Sequence, residues 1–140
     1  MPIDPNNPVV HLCAEGIQAE MAGRREDAAA LYQRAWDSRT DEFEACIAAH
    51  YLARLQSDPA NILHWNQLSL EHAGAVKDDR VAEFYPSLYL NLGKAHEDLG
   101  HRAEARRFYE LAAEKVEALP EGKYADIVKQ GIANGIARTA

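Results

Sequence analysis

Apolar and small residues recur along this chain at three- and four-residue spacing, and strictly alternating runs are absent. Positions three and four apart share one face of an α-helix, so the pattern predicts helices rather than strands. The periodic stretches break at turn-forming residues: Gly23, Ser57-Asp58-Pro59 and Gly100. Helices are therefore expected over 8–22, 25–38, 41–56, 59–73, 80–99, 102–118 and 123–138. The fifth contains Pro86, yet the apolar positions Val81, Phe84, Tyr85 and Leu88 run through it. A bent helix is expected there, because an interior proline removes one hydrogen bond without erasing the buried face. Residues 1–7, with Pro2 and Pro5, are expected to be a flexible tail, and 8–140 a single domain.

An internal repeat lies within the pattern. Leu12, Gly16, Gly23, Ala28, Tyr32 and Ala35 are matched in chemical type and spacing by Tyr89, Gly93, Gly100, Ala105, Tyr109 and Ala112. A glycine inside a helix costs about 1 kcal/mol relative to alanine, so Gly16 and Gly93 imply a close neighbour. Gly23 and Gly100 stand where a left-handed residue ends a helix. Ala28, Tyr32 and Ala35, like Ala105, Tyr109 and Ala112, share one face on which small residues flank an aromatic. Each set predicts an antiparallel helical hairpin with the tyrosine filling the gap. A third hairpin follows more weakly from Ala49, Trp65 and Leu68, with Trp65 in the aromatic position and His64 and Asn66 partly exposed beside it. Tyr124, Ile127, Val128, Gly131, Ile132 and Ile136 predict a final capping helix in which Gly131 repeats the part of Gly16 and Gly93.

These residues resemble the tetratricopeptide repeat, a helical hairpin of about 34 residues. Residues 9–42 and 86–119 match its pattern well, and 42–75 match loosely. Val76 to Tyr85 are extra to that period and resemble the longer-repeat variant. The resemblance implies an all-α, right-handed solenoid of about three hairpins plus a capping helix. It further implies a concave groove lined by the first helix of each hairpin, where a protein or peptide partner binds. Carried over by position, the rows are Val10, Cys13, Ile17, Glu20 and Met21, then Phe43, Cys46, His50 and Arg54, then Ser87, Leu90, Asn91, Lys94, Glu97 and Asp98. Ile17, Phe43, His50, Arg54, Asn91 and Lys94 are the candidate contacts. The middle row is expected to be central, with His50 making binding sensitive to pH and Arg54 either favouring an acidic partner or pairing with Glu20 or Glu97. The family's clamp for C-terminal carboxylates is not expected, because Cys13, Ile17, Ser87 and Asn91 replace its cations.

Composition narrows the function. Apolar residues make up 47% and charged residues 26%, with a net charge of -7. An acidic chain is poorly suited to nucleic acid, whose binding rests on neutralising phosphates. No apolar run is long enough for a membrane span, and no signal-type start is present. A cytoplasmic setting is expected. The two cysteines, Cys13 and Cys46, make no disulfide framework and are expected to face the groove side by side; neither a metal nor a cofactor is expected. No phosphate-binding glycine loop or partnered nucleophile is evident, which points to a non-enzymatic adaptor or scaffold. A regulatory module binding a small ligand in the same groove is the alternative, and an enzyme site built from Cys46, His50 and Arg54 is a third reading. Apolar Tyr124, Ile127 and Ile132 near the end of the stack also suggest a homodimer.

Overall fold

Residues 4–140 are described by a computed structural model; residues 1–3, part of the expected tail, lie outside the described residues. Among the described residues the helices are α1 (Pro8–Met21), α2 (Arg25–Asp37), α3 (Glu42–Arg54), α4 (Pro59–Ala75), α5 (Tyr85–Asp98), α6 (Arg102–Lys115) and α7 (Lys123–Thr139), with no strand. The chain is all-α. Two compact units divide after Arg80. In the first, α1 pairs with α2 and α3 with α4, and α3 also packs on α1 and α2. In the second, α5 pairs with α6, and α7 packs on both. No described helix is long and apolar enough to cross a membrane.

The helix starts follow their capping chemistry. The Asn7 side chain accepts from the backbone N–H groups of Val9 and Val10, and Pro8 occupies the first turn. Asn7, expected in the tail, is thus the cap of α1, and its Nδ2 also donates to Glu44 at 2.9 Å. Asp41 caps α3 through Glu44 N, and Asp58 caps α4 through Ala60 N, with Pro59 in the first turn. The hairpin turns of α1–α2 and α5–α6 are congruent: Gly23 and Gly100 take φ of 78° and 81°, which a side chain would strain.

The expected bent helix from residue 80 is corrected. Asp78 to Val81 form bends and turns, Ala82–Phe84 make one 3₁₀ turn, and α5 begins only at Tyr85. Pro86 sits in the first turn of α5, where its missing N–H removes nothing from the helix. The apolar residues ahead of it are used differently, with Val81 buried and Phe84 partly so.

Glycine against tyrosine sets the helix spacing. Tyr32 and Tyr109 are both fully buried. A Cβ on Gly16 would fall inside the Tyr32 ring, and one on Gly93 would stand 2.7 Å from Tyr109. The third such glycine is Gly135, not Gly131: a Cβ there would meet Tyr109 at 2.5 Å, whereas at Gly131 it would meet only the end of Leu90 at 3.2 Å. Tyr109 is therefore held between two bare helix backbones, α5 and α7. Below it, Ala112, Val116, Leu119, Ala125, Val128 and Ile132 form an apolar cluster.

In α4 the buried positions are Asn66, Ser69 and Ala73. Trp65 is only partly buried and meets Trp36 edge-on at 5.1 Å. This corrects the expected register, in which Trp65 filled the core and Asn66 lay partly exposed. The polar donors are met by backbone: Asn66 Nδ2 donates to the Ile62 carbonyl at 3.0 Å, and Ser69 Oγ to the Cys46 carbonyl at 2.8 Å, while Asn66 Oδ1 is buried with no hydrogen-bond partner among the described residues.

Candidate functional site

The six candidate contacts fall in both units: Ile17, Phe43, His50 and Arg54 in the first, Asn91 and Lys94 in the second. Phe43 is 2% exposed, and the Arg80 guanidinium lies 4.3 Å from its ring centroid. It is core, not an exposed aromatic contact. Ile17 and His50 are partly buried, and burial, with Arg54 nearby, pushes the His50 imidazole down to about 4. A ring that titrates there is neutral near pH 6–7, against the expectation of a pH-sensitive contact in that range.

Arg54 is engaged within its own unit. Its Nε and Nη2 donate to the two oxygens of Glu20 at 3.2 and 3.1 Å, and Tyr32 donates its O–H to the same carboxylate at 2.5 Å. The second unit repeats the arrangement. Tyr109 donates to Glu97 at 2.6 Å, and Arg138 Nε and Nη2 grip Glu97 at 2.7 and 3.0 Å. Each buried tyrosine thus presents its hydroxyl at the hairpin's edge, where a glutamate from the first helix and an arginine from the next-but-one helix close over it. Paired charges of this type are worth more than a neutral hydrogen bond, because donor and acceptor are both ionised. The Arg138 guanidinium and the Tyr109 hydroxyl together hold the Glu97 carboxyl down to about 2. Sequence reasoning singled out both tyrosines as core but did not connect them to Glu20, Glu97 or Arg138.

The two clamps align α3 with α7. Ile127 precedes Arg138 by the interval that separates Phe43 from Arg54, and Gly131 stands where Ile47 stands. The environments differ. Phe43 and Ile47 are buried, while Ile127 is 64% exposed and Tyr124, one turn before it, is 58% exposed. Tyr124 hydrogen-bonds Ser87 Oγ on α5, and Leu90 of α5 lies against Gly131. Ser87 and Leu90 on α5 therefore run beside Tyr124 and Gly131 on α7, while Lys94 lies further along, one turn before Glu97 and its partner Arg138. Asn91 is partly buried, and exposed Lys94 reaches Asp98 at 2.9 Å on its own helix. Within the second unit this is an open surface with two exposed apolar side chains and a weakly held cation.

The first unit carries a different feature, an open depression of about 340 Å³ lined by Arg39, Thr40, Asp41, Glu42, Ala45 and His72. His72 pairs there with Glu42. Both cysteines are buried rather than facing a groove, which raises the Cys13 thiol to about 12 and Cys46 to about 11. Protonated thiols of this kind are poor nucleophiles and poor metal ligands. Among the described residues no group of three or more His, Cys, Asp or Glu side chains is arranged to hold a metal ion. No family model matches the chain, no curated protein matches it, and no solved structure matches it.

Proposed function

We propose that this protein is a non-enzymatic interaction module, an adaptor or scaffold of the tetratricopeptide type, that binds a peptide or protein partner. The observation that carries the reading is the exposure of Tyr124 and Ile127 on α7, alongside Ser87 and Leu90 of α5, at a position whose counterpart in the first unit, Phe43, is buried. Two large apolar side chains standing in water on one helix face, rimmed by polar residues, are the composition of a contact surface. The hairpin pattern supports a right-handed solenoid of about three hairpins with α7 as its cap. The buried Cys46, its thiol raised to about 11, supports the non-enzymatic reading, since a protonated thiol is a poor nucleophile. The same apolar exposure favours a homodimer as the state of the unliganded protein.

Binding is expected to centre on the α5–α7 surface rather than on the α3 row, through Tyr124 and Ile127, with Asn91 and Lys94 on the α5 side. The depression around His72 and Glu42 favours one other reading, a regulatory module that takes a small polar ligand there. A photo-crosslinking residue at Ile127, compared with one at Glu42 during capture from the native cell, separates the two. Partner adducts at Ile127 support the interaction module. Adducts confined to Glu42 overturn the α5–α7 assignment.

A further inference from the structure

The congruent turns differ at the two residues that close them. Ala19 and Arg24 hold the α1–α2 turn through Arg24 N to Ala19 O at 2.8 Å. At the α5–α6 turn the same bond, 2.8 Å, joins His101 N to His96 O, so two histidines replace the alanine and the arginine. Their rings meet: Nδ1 of His96 and Nδ1 of His101 are 3.0 Å apart. The ring centroids are 5.3 Å apart, longer than the nitrogen separation by little more than the two centroid-to-nitrogen radii. The nitrogens therefore face each other head-on. Lone pairs so aimed suit one shared proton rather than a chelated ion, which would need them to converge beside the pair.

We propose that His96 and His101 form a one-proton latch on the α5–α6 turn, closed while the pair carries at most one extra proton and opened by the second. Between two neutral imidazoles, one Nδ1–H donates to the other Nδ1, whose own ring then carries its hydrogen on Nε2. The first added proton goes to the free Nε2 of the donor ring. It leaves the bond in place and makes it charge-assisted. The second has only the accepting Nδ1 to occupy. Two N–H groups would then face each other on two cations, and the contact must part. Position assigns the roles. His101 is exposed and supplies the donor ring, while His96, which accepts, is 8% exposed and lies flat on Phe108 at 5.4 Å with an interplanar angle of 6°.

The surroundings reinforce the order. Burial and the neighbouring His101 lower His96, with Arg107 acting in the same sense and Glu104 against it. Both of those groups lie on α6, and the Arg107 guanidinium is itself 4.8 Å from the Phe108 ring centroid. From α7, Arg138 is committed to Glu97 and Tyr109. Acid thus acts on the turn through the pair itself.

Nitrogen NMR of the full chain labelled at histidine, titrated from pH 8 to pH 4, tests this. The latch predicts coupled, two-step titration of His96 and His101, with His96 as the Nε2–H tautomer between the steps. Below the second step the His101 amide should lose protection against exchange, corrected for the intrinsic rate, by up to about tenfold per pH unit. His101→Ala should reduce His96 to a single step and abolish that pH dependence. Independent single-step curves for the two rings in the unaltered protein, or the same acid loosening in His101→Ala, overturn the proposal.

Discussion

The Tyr109 hydroxyl lies 2.6 Å from Glu97 Oε1, so a residue with no exposed surface reaches a carboxylate at the edge of its hairpin. Tyr32 and Glu20 repeat the relationship at 2.5 Å. The phenol is thus both core and strut. Tyr109→Phe keeps the ring and removes only the donor. It should cost about 1.5–3 kcal/mol, the scale of a hydrogen bond to a charged group, while leaving Glu97 in the grip of Arg138. Urea unfolding checks this, with an unchanged slope and a lower midpoint expected.

The same site makes the second unit sensitive to acid. Glu97 titrates at about 2 in the folded protein and near 4.3 in the unfolded chain. A depressed carboxyl contributes stability that is complete above its unfolded value and is lost as the pH falls through its folded one. Stability attributable to Glu97 should therefore decline between about pH 4.3 and pH 2, and Glu97→Gln should flatten that part of the curve. His50 acts in a neighbouring window. The unfolded imidazole takes a proton near pH 6.5, the folded one only at about 4, so stability falls between those values by at most about 1.4 kcal/mol per pH unit. His50→Gln should remove that slope in thermal melts recorded from pH 7 to pH 4.

Glycine substitutions separate the two positions on α7. Gly135→Ala places a methyl against the Tyr109 ring, against which the backbone at Gly93 also closes. Overpacking of about 1–3 kcal/mol should outweigh the gain of about 1 kcal/mol from helix propensity. Gly131→Ala meets only a terminal methyl of Leu90, so it should be neutral or stabilising. Equal melting temperatures for the two variants would contradict the glycine–tyrosine packing.

Arg54→Ala tests whether that residue is structural. Its side chain is half-exposed, and solvent screening limits the loss to under about 1 kcal/mol. A small fall in melting temperature with partner capture unchanged is expected.

The hairpins were legible because they rest on short-range chemistry. Gly16 with Tyr32 and Gly93 with Tyr109 lie within one helix pair, and the break at Ser57-Asp58-Pro59 lies beside the helix that Asp58 caps. Pro86 misled because the apolar spacing on both sides of it suits one long helix, while its ring favours the first turn. The α4 face was misread because its buried residues, Asn66 and Ser69, are polar, and apolar periodicity does not count them. The site was least legible. Phe43 is covered by Arg80, far along the chain, and the reach of Arg138 to Glu97 depends on the length of the α6–α7 connection. Nothing in the local pattern separates a covered Phe43 from an uncovered Ile127.

The central claim is that a partner binds the α5–α7 surface through Tyr124 and Ile127. Selection of peptides from a displayed random library on the purified protein, followed by amide NMR titration with the enriched peptide, tests it most directly. The account predicts shifts concentrated at Ser87–Lys94 and Tyr124–Gly131, and affinity weakened by at least about tenfold, near 1.4 kcal/mol, in Tyr124→Ser/Ile127→Ser at an unchanged melting temperature. Shifts centred elsewhere, undiminished affinity in that variant, or no enriched peptide at all would contradict it.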